Sequence, residues 1–224
     1  MDQKLIAWAR AVKAKAPRNA PPPLWLFTDH RRVPDPRPDI ARLPRGLCGV
    51  VFRHDALPDT VRATLLRQVM RLCRARRLML SVSGCIPGGL PMRTQPHRRG
   101  GRLANRADKA STCLPPALPP GLPPGLRGRP ITTASAHTIP ELRRAHRLGA
   151  GLIFFSPFLP TESHPGAAAL GAGHWNRLVR MAGRGLHHQP YIAALGGIKG
   201  RHAGLFRISG ILNVGAIGAL HTRH

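Results

Sequence analysis

A chain of 224 residues can form one large α/β domain with a sizeable core, and its 35 Lys and Arg against nine Asp and Glu give a formal net charge of +26. Such a charge attracts phosphates, nucleic acid or anionic membrane, but the arginines are scattered in short knots such as Arg71-Leu72-Cys73-Arg74-Ala75-Arg76-Arg77, with few aromatics between them. With no helix-turn-helix, zinc-finger or base-stacking pattern, the surplus reads first as composition and nucleic-acid association is the less favoured alternative.

In chain order, Met1 to Arg10 reads as a short cationic amphipathic helix without a signal-peptide core, expected to cap the bottom of the domain. Residues 1–23 form an N-terminal helix and linker, and residues 24–224 one domain. From residue 24 onward, short apolar runs alternate with segments of helical period, the pattern of βα units around a parallel sheet. The predicted strands are Leu24–Thr28, Gly49–Arg53, Leu78–Ser83, Ala110–Leu114, Ile131–Ser135, Gly151–Phe155, Tyr191–Leu195 and Ile211–Ala216. The predicted helices are Asp59–Arg77, Ile139–Leu148, His174–Ala182 and Arg201–Ile208, the second opened by a Thr138-x-x-Glu141 capping box. Eight such repeats predict an α/β fold of the (β/α)8 TIM-barrel type, with a doubly wound sheet as the alternative. Residues 84–101 and 115–130 are rich in Pro, Gly and Arg, so the third and fourth units are expected to be irregular.

No apolar stretch approaches a membrane span. Cys48, Cys73, Cys85 and Cys113 show neither CxxC pairing nor a disulfide framework, which fits a reducing cytoplasm.

In a barrel, ligands bind at the C-terminal ends of the strands. After the seventh strand comes Leu195-Gly196-Gly197-Ile198, and the eighth runs into Val214 to Leu220 with Gly218 among them; such glycine loops let backbone N–H groups approach an anion. The fifth strand ends in Thr133-Ala134-Ser135-Ala136-His137, setting a hydroxyl and an imidazole at the mouth, where His137 could serve as general acid or base or merely as a capping histidine. After the sixth strand, Pro157-Phe158-Leu159-Pro160-Thr161-Glu162-Ser163-His164-Pro165-Gly166 offers Thr161, Ser163 and His164 to an anionic ligand, or is simply a proline-stiffened turn.

Ser135-Ala136-His137, the segment from Ser156 to Gly166, and Ala194-Leu195-Gly196-Gly197-Ile198, in this order, resemble thiamine phosphate synthase and its TenI-type relatives. Leu26-Phe27-Thr28-Asp29 and the arginine of Val50-Val51-Phe52-Arg53 match the first two strands of that family. The resemblance implies a TIM barrel of thiamine biosynthesis that joins a pyrimidine diphosphate to a thiazole phosphate with Mg²⁺ bound, or a TenI-type protein that binds or tautomerises the thiazole phosphate without metal. It implies phosphate contacts at Thr161, Ser163, His164, Gly196, Gly197 and Gly218, a diphosphate contact at Arg53, and proton transfer at His137. The family's Mg²⁺ carboxylates are not found: Ser83-Gly84 stands after the third strand, and prolines follow Leu114. The implied partners are phosphorylated small molecules.

Overall fold

The structure is a computed structural model that describes residues 1–84, 95–98, 131–161, 168–183 and 190–221. Its strands are β1 (Leu24–Phe27), β2 (Cys48–Phe52), β3 (Met79–Ser83), β4 (Gln95–Arg98), β5 (Thr133–Ala136), β6 (Leu152–Phe155), β7 (Tyr191–Leu195) and β8 (Val214–Ala216). They pair in parallel and in sequence order, and Leu24 to Leu26 of β1 register with Val214 to Ala216 of β8, closing a barrel. The helices are α1 (Gln3–Lys15), α2 (Arg37–Arg42), α3 (Asp59–Ala75), α4 (Ile139–Arg147), α5 (Gly171–Gly183) and α6 (Ala203–Ile208).

Outside β4 and β5 the strand sequences are largely apolar because both sheet faces are buried. One set of alternating residues, including Trp25, Phe27, Val51, Leu152, Phe154 and Ala193, fills the interior of the barrel. The other set, including Leu26, Val50, Phe52, Val82, Ile153, Phe155 and Val214, faces the surrounding helices. Phe27 and Phe154 meet edge to face at 4.7 Å between centroids, and Trp25 meets Phe154 at 5.6 Å. Gly49 makes room for this layer: a Cβ there would sit 2.4 Å from the Trp25 ring.

Two expectations are corrected. The fourth strand is Gln95–Arg98, which registers with Ser81–Ser83 on one side and Thr133–Ala134 on the other. The predicted strand Ala110–Leu114 lies outside the described residues. Pro96 within a mostly polar stretch hides β4, because proline argues against a central strand. Helix α1 does not cap the bottom. Asp2 caps its first turn through Lys4 N–H and Leu5 N–H at 3.1 and 3.2 Å, and the same carboxylate accepts the Gly200 N–H at 2.6 Å. The Asp2 N–H donates to Ala219 O, so α1 begins level with segments that follow the C-terminal ends of β7 and β8. Buried Leu5, Ile6, Trp8 and Ala9 then lie along the flank, with Trp8 edge-on to Phe206 of α6 at 5.3 Å. Helix α2, opened by the Pro36-Arg37-Pro38 stretch, is an element the sequence periodicity did not reveal.

Candidate functional site

Because side chains alternate along a strand, Thr133, Ser135 and then His137 climb the inner wall of β5 towards its C-terminal end. Buried His97 of β4 sits against this wall, its Nδ1 2.8 Å from Thr133 Oγ1 and its Nε2 3.0 Å from Ser135 Oγ. Thr133 Oγ1 is in turn 2.7 Å from Ser81 Oγ of β3. A chain of hydroxyls and one imidazole therefore crosses β3, β4 and β5 inside an otherwise apolar barrel, with each polar group satisfied by the next. The edge of His97 meets Phe27 at 5.6 Å between centroids, which fixes the ring plane.

At the end of β5, His137 Nδ1 lies 3.1 Å from Ser156 Oγ, the first residue past β6. The capping work at α4 falls to its neighbours: Thr138 Oγ1 accepts the Glu141 N–H, and Glu141 Oε2 accepts the His137 N–H at 2.7 Å. The exposed His137 imidazole is thus held at the mouth beside Ser156 while its backbone is fixed by the helix start. Ser135 thus pairs with His97, which no sequence pattern had singled out, and His137 with Ser156, which had entered only as the first residue of the segment that carries the resemblance.

The loop after β6 is stitched onto the turn after β7. Phe158 N–H donates to Leu195 O at 2.8 Å, and Leu159 N–H to Gly196 O at 3.2 Å. The Ser156–Pro157 peptide is cis, and Phe158 is buried against Trp175 of α5 and Phe206 of α6. Gly197 has φ +67°, and a Cβ there would fall 2.5 Å from Pro160 O and 2.7 Å from Leu159 Cβ. Gly196 and Gly197 therefore let the two loops touch, a packing role beyond the open backbone expected of them. Thr161 ends this described stretch and is half-buried. Ser163 and His164 lie outside the described residues. Gly218 opens a short 3₁₀ turn past β8, and a Cβ there would meet nothing within 4 Å.

On the β1–β2 side, exposed Arg53 follows β2, with its guanidinium carbon 5.9 Å from the centroid of the Phe27 ring. Its N–H donates to Thr28 Oγ1 at 2.9 Å, and Thr28 Oγ1 lies 2.9 Å from Nδ1 of His54. Since Nε2 of His54 meets the Pro34 carbonyl at 3.2 Å, and a carbonyl only accepts, the proton sits on Nε2 and the Thr28 hydroxyl donates to Nδ1. Burial pushes the His54 pKa below its ordinary value, opposed by hydrogen bonds to the Pro34 and Val33 backbone. His54 stacks on Phe52 at 4.9 Å, so Arg53 stands on a braced support.

The Mg²⁺ that the family resemblance implies does not fit the described residues. Asp2 caps α1, Asp35 pairs with Arg37, Asp39 with His221, Asp55 with Arg62, and Glu141 caps α4. Asp29 accepts the Arg31 N–H on the loop after β1, and Asp59 lies in the first turn of α3. No group of three or more His, Cys, Asp or Glu that could hold a metal ion occurs among the described residues. At the end of β3, where the resemblance calls for a carboxylate, the buried Arg62 guanidinium donates to the Ser83 carbonyl and to Asp55 Oδ1, the latter at 3.0 Å. After β4, the first carboxylate in the sequence is Asp108, outside the described residues.

The thiamine monophosphate synthase family model matches residues 126–220. Among solved structures, thiamine phosphate pyrophosphorylase from Pyrococcus furiosus superposes with a TM-score of 0.59 at 18% identity, over 90% of this chain and 88% of that one. FabK from Thermotoga maritima superposes with a TM-score of 0.54 at 12% identity, over 89% of this chain and 58% of that one. At these identities the two structures speak for the barrel fold alone. No curated protein matches the chain. The matched segment carries β5 to β8 together with Ser135, His137, the loop after β6 and the paired glycines, so the similarity to the thiamine monophosphate synthase family falls on the half of the barrel that holds these residues.

Proposed function

We propose that the C-terminal face of this barrel binds the phosphorylated thiazole and pyrimidine ligands of thiamine biosynthesis, in the manner of a thiamine phosphate synthase/TenI-type protein of the cytoplasm. The observation that carries this reading is the junction of the loop after β6 with Gly196-Gly197, which sets Thr161 near the turn that the resemblance makes a phosphate site. In this reading backbone donors of Gly196, Gly197 and Gly218 hold one phosphate, and Thr161, Ser163 and His164 hold a second anionic group. Arg53 meets the diphosphate charge, since a guanidinium matches phosphate oxygens bidentately. His137 moves the proton, oriented by Ser156 Oγ, and Ser135, backed by His97, offers a hydroxyl beside it.

The carboxylate arrangement favours a second reading within the same family: a metal-independent ligand-binding or tautomerase-type barrel. One experiment separates the readings. Purified protein is mixed with hydroxymethylpyrimidine diphosphate and thiazole phosphate with and without Mg²⁺, and thiamine phosphate is assayed by thiochrome fluorescence while melting temperature is followed. Product supports the synthase; a rise in melting temperature with thiazole phosphate but no product supports the second reading. No product and no thermal shift at saturating ligand removes both.

A further inference from the structure

We infer that the phosphate-handling face of this barrel draws its counter-charge from arginine and not from a divalent cation: Arg62, seated on the Ser83 carbonyl, closes the β2–β3 rim to a metal, and Arg53 offers the guanidinium that a diphosphate-class anion meets. This rests on the phosphate-ligand reading above and adds how the anion is neutralised.

Arg62 starts from the first turn of α3, outside the barrel, yet its side chain is only 5% exposed. Its guanidinium carbon lies 5.8 Å from the centroid of the Phe52 ring, and its Nη2 reaches both Asp55 Oδ1 after β2 and the carbonyl of Ser83, the last residue of β3. A hard divalent cation at this rim needs oxygen ligands. Here the Ser83 carbonyl accepts a hydrogen bond, the nearby carboxylate is engaged, and a fixed positive charge stands at the same point. Of the remaining described carboxylates, Asp2 and Glu141 serve helix starts and Asp29, Asp35 and Asp39 pair with Arg32, Arg37 and His221, and the described residues include no group of three or more His, Cys, Asp or Glu that could hold a metal ion. Arg53 leaves the end of β2, two residues from Asp55; its backbone N–H is held by Thr28 Oγ1, and its guanidinium carbon lies 5.9 Å from the centroid of the Phe27 ring. Guanidinium charge at the edge of a low-dielectric barrel does for an anion what a bound cation otherwise does.

Inorganic pyrophosphate, titrated calorimetrically into the full chain, tests the inference. Binding in EDTA that does not tighten with excess Mg²⁺, and that weakens about tenfold in Arg53→Ala, is expected, the loss being that of one charge-assisted contact. The exposed Arg147→Ala on α4 controls for general basicity and leaves affinity unchanged. Asp55→Asn keeps the Arg62 guanidinium but removes its neutralising partner, so pyrophosphate affinity rises severalfold even where melting temperature falls. Binding that appears only with Mg²⁺ overturns the inference while leaving the phosphate-ligand reading intact. Affinity unmoved by Asp55→Asn reduces Arg62 to a structural pair and overturns its part. Absence of binding under both conditions overturns the inference, while the functional reading stands or falls separately on the thermal shift with thiazole phosphate.

Discussion

Two glycines at the candidate site answer to different forces, and substitution separates them. Gly197 combines φ +67° with a would-be Cβ 2.5 Å from Pro160 O, so Gly197→Ala carries left-handed strain and a backbone clash. Its expected cost is about 2–4 kcal/mol, a loss of roughly 10 °C in melting temperature, with phosphate binding weakened as the two loops part. Gly218 has open space around it, and the resemblance implies a phosphate contact there. Gly218→Ser is expected to leave melting temperature unchanged and to tighten thiazole phosphate binding severalfold by adding one hydroxyl donor, measured by calorimetry. The third residue-scale expectation concerns His54. Burial holds its folded pKa below the unfolded value, so the unfolded chain takes up the proton first and stability, fully present above about pH 6.5, is lost as pH falls through the folded pKa. Nearby His30 deepens this trend and Asp29 opposes it. The melting temperature of the parent chain is expected to drop between neutral and mildly acidic pH, with a shallower drop in His54→Asn. Ser135, His137 and the paired glycines were legible because they end strong apolar runs at recognisable motifs. His97 and Arg62 were not, since a histidine amid Pro and Arg or an arginine in a polar helix turn looks solvated until the strands meet.

Elements with regular apolar content were found within a residue or two of their ends: β2, β3, β6, β7, α3 and α4 all carry several apolar residues in sheet or helix period. Elements held mainly by tertiary contact escaped. Strand β4 reads Gln95-Pro96-His97-Arg98, and what fixes it in the sheet is pairing with β3 and β5 together with the His97 bonds to Thr133 and Ser135. Helix α1 was recognised but misplaced, because amphipathicity says which face is buried and not against what. Its position rests on Asp2, which bonds α1 to Gly200, and on Trp8 against Phe206. Trp8→Ala is expected to cost about 3–5 kcal/mol, the range for truncating a buried aromatic, and a denaturant titration checks it. If α1 were a loosely attached appendage the transition midpoint would barely move.

For the molecule as a whole, the effect of a charge of +26 depends on how it is spread. The described arginines are not gathered on one element. Arg37 pairs with Asp35, Arg62 with Asp55, and Arg76 donates to the Leu43 carbonyl, while Arg67, Arg71 and Arg74 lie exposed on α3 and Arg201 lies beside the turn after β7. Such a distribution makes a field around the entire barrel, which draws anions inwards at rates that fall with ionic strength but specifies no duplex. Random duplex DNA is therefore expected to bind weakly at low salt and to be released by physiological salt, through counterion release alone. Pyrophosphate at the C-terminal face, held by a few placed donors, is expected to lose much less affinity over the same range. Fluorescence anisotropy with labelled duplex, set beside calorimetry with pyrophosphate across one salt series, reads both slopes. Duplex affinity that persisted at physiological salt and outlasted that of the small anion would make the basic surface the working part of the protein, and the barrel mouth secondary.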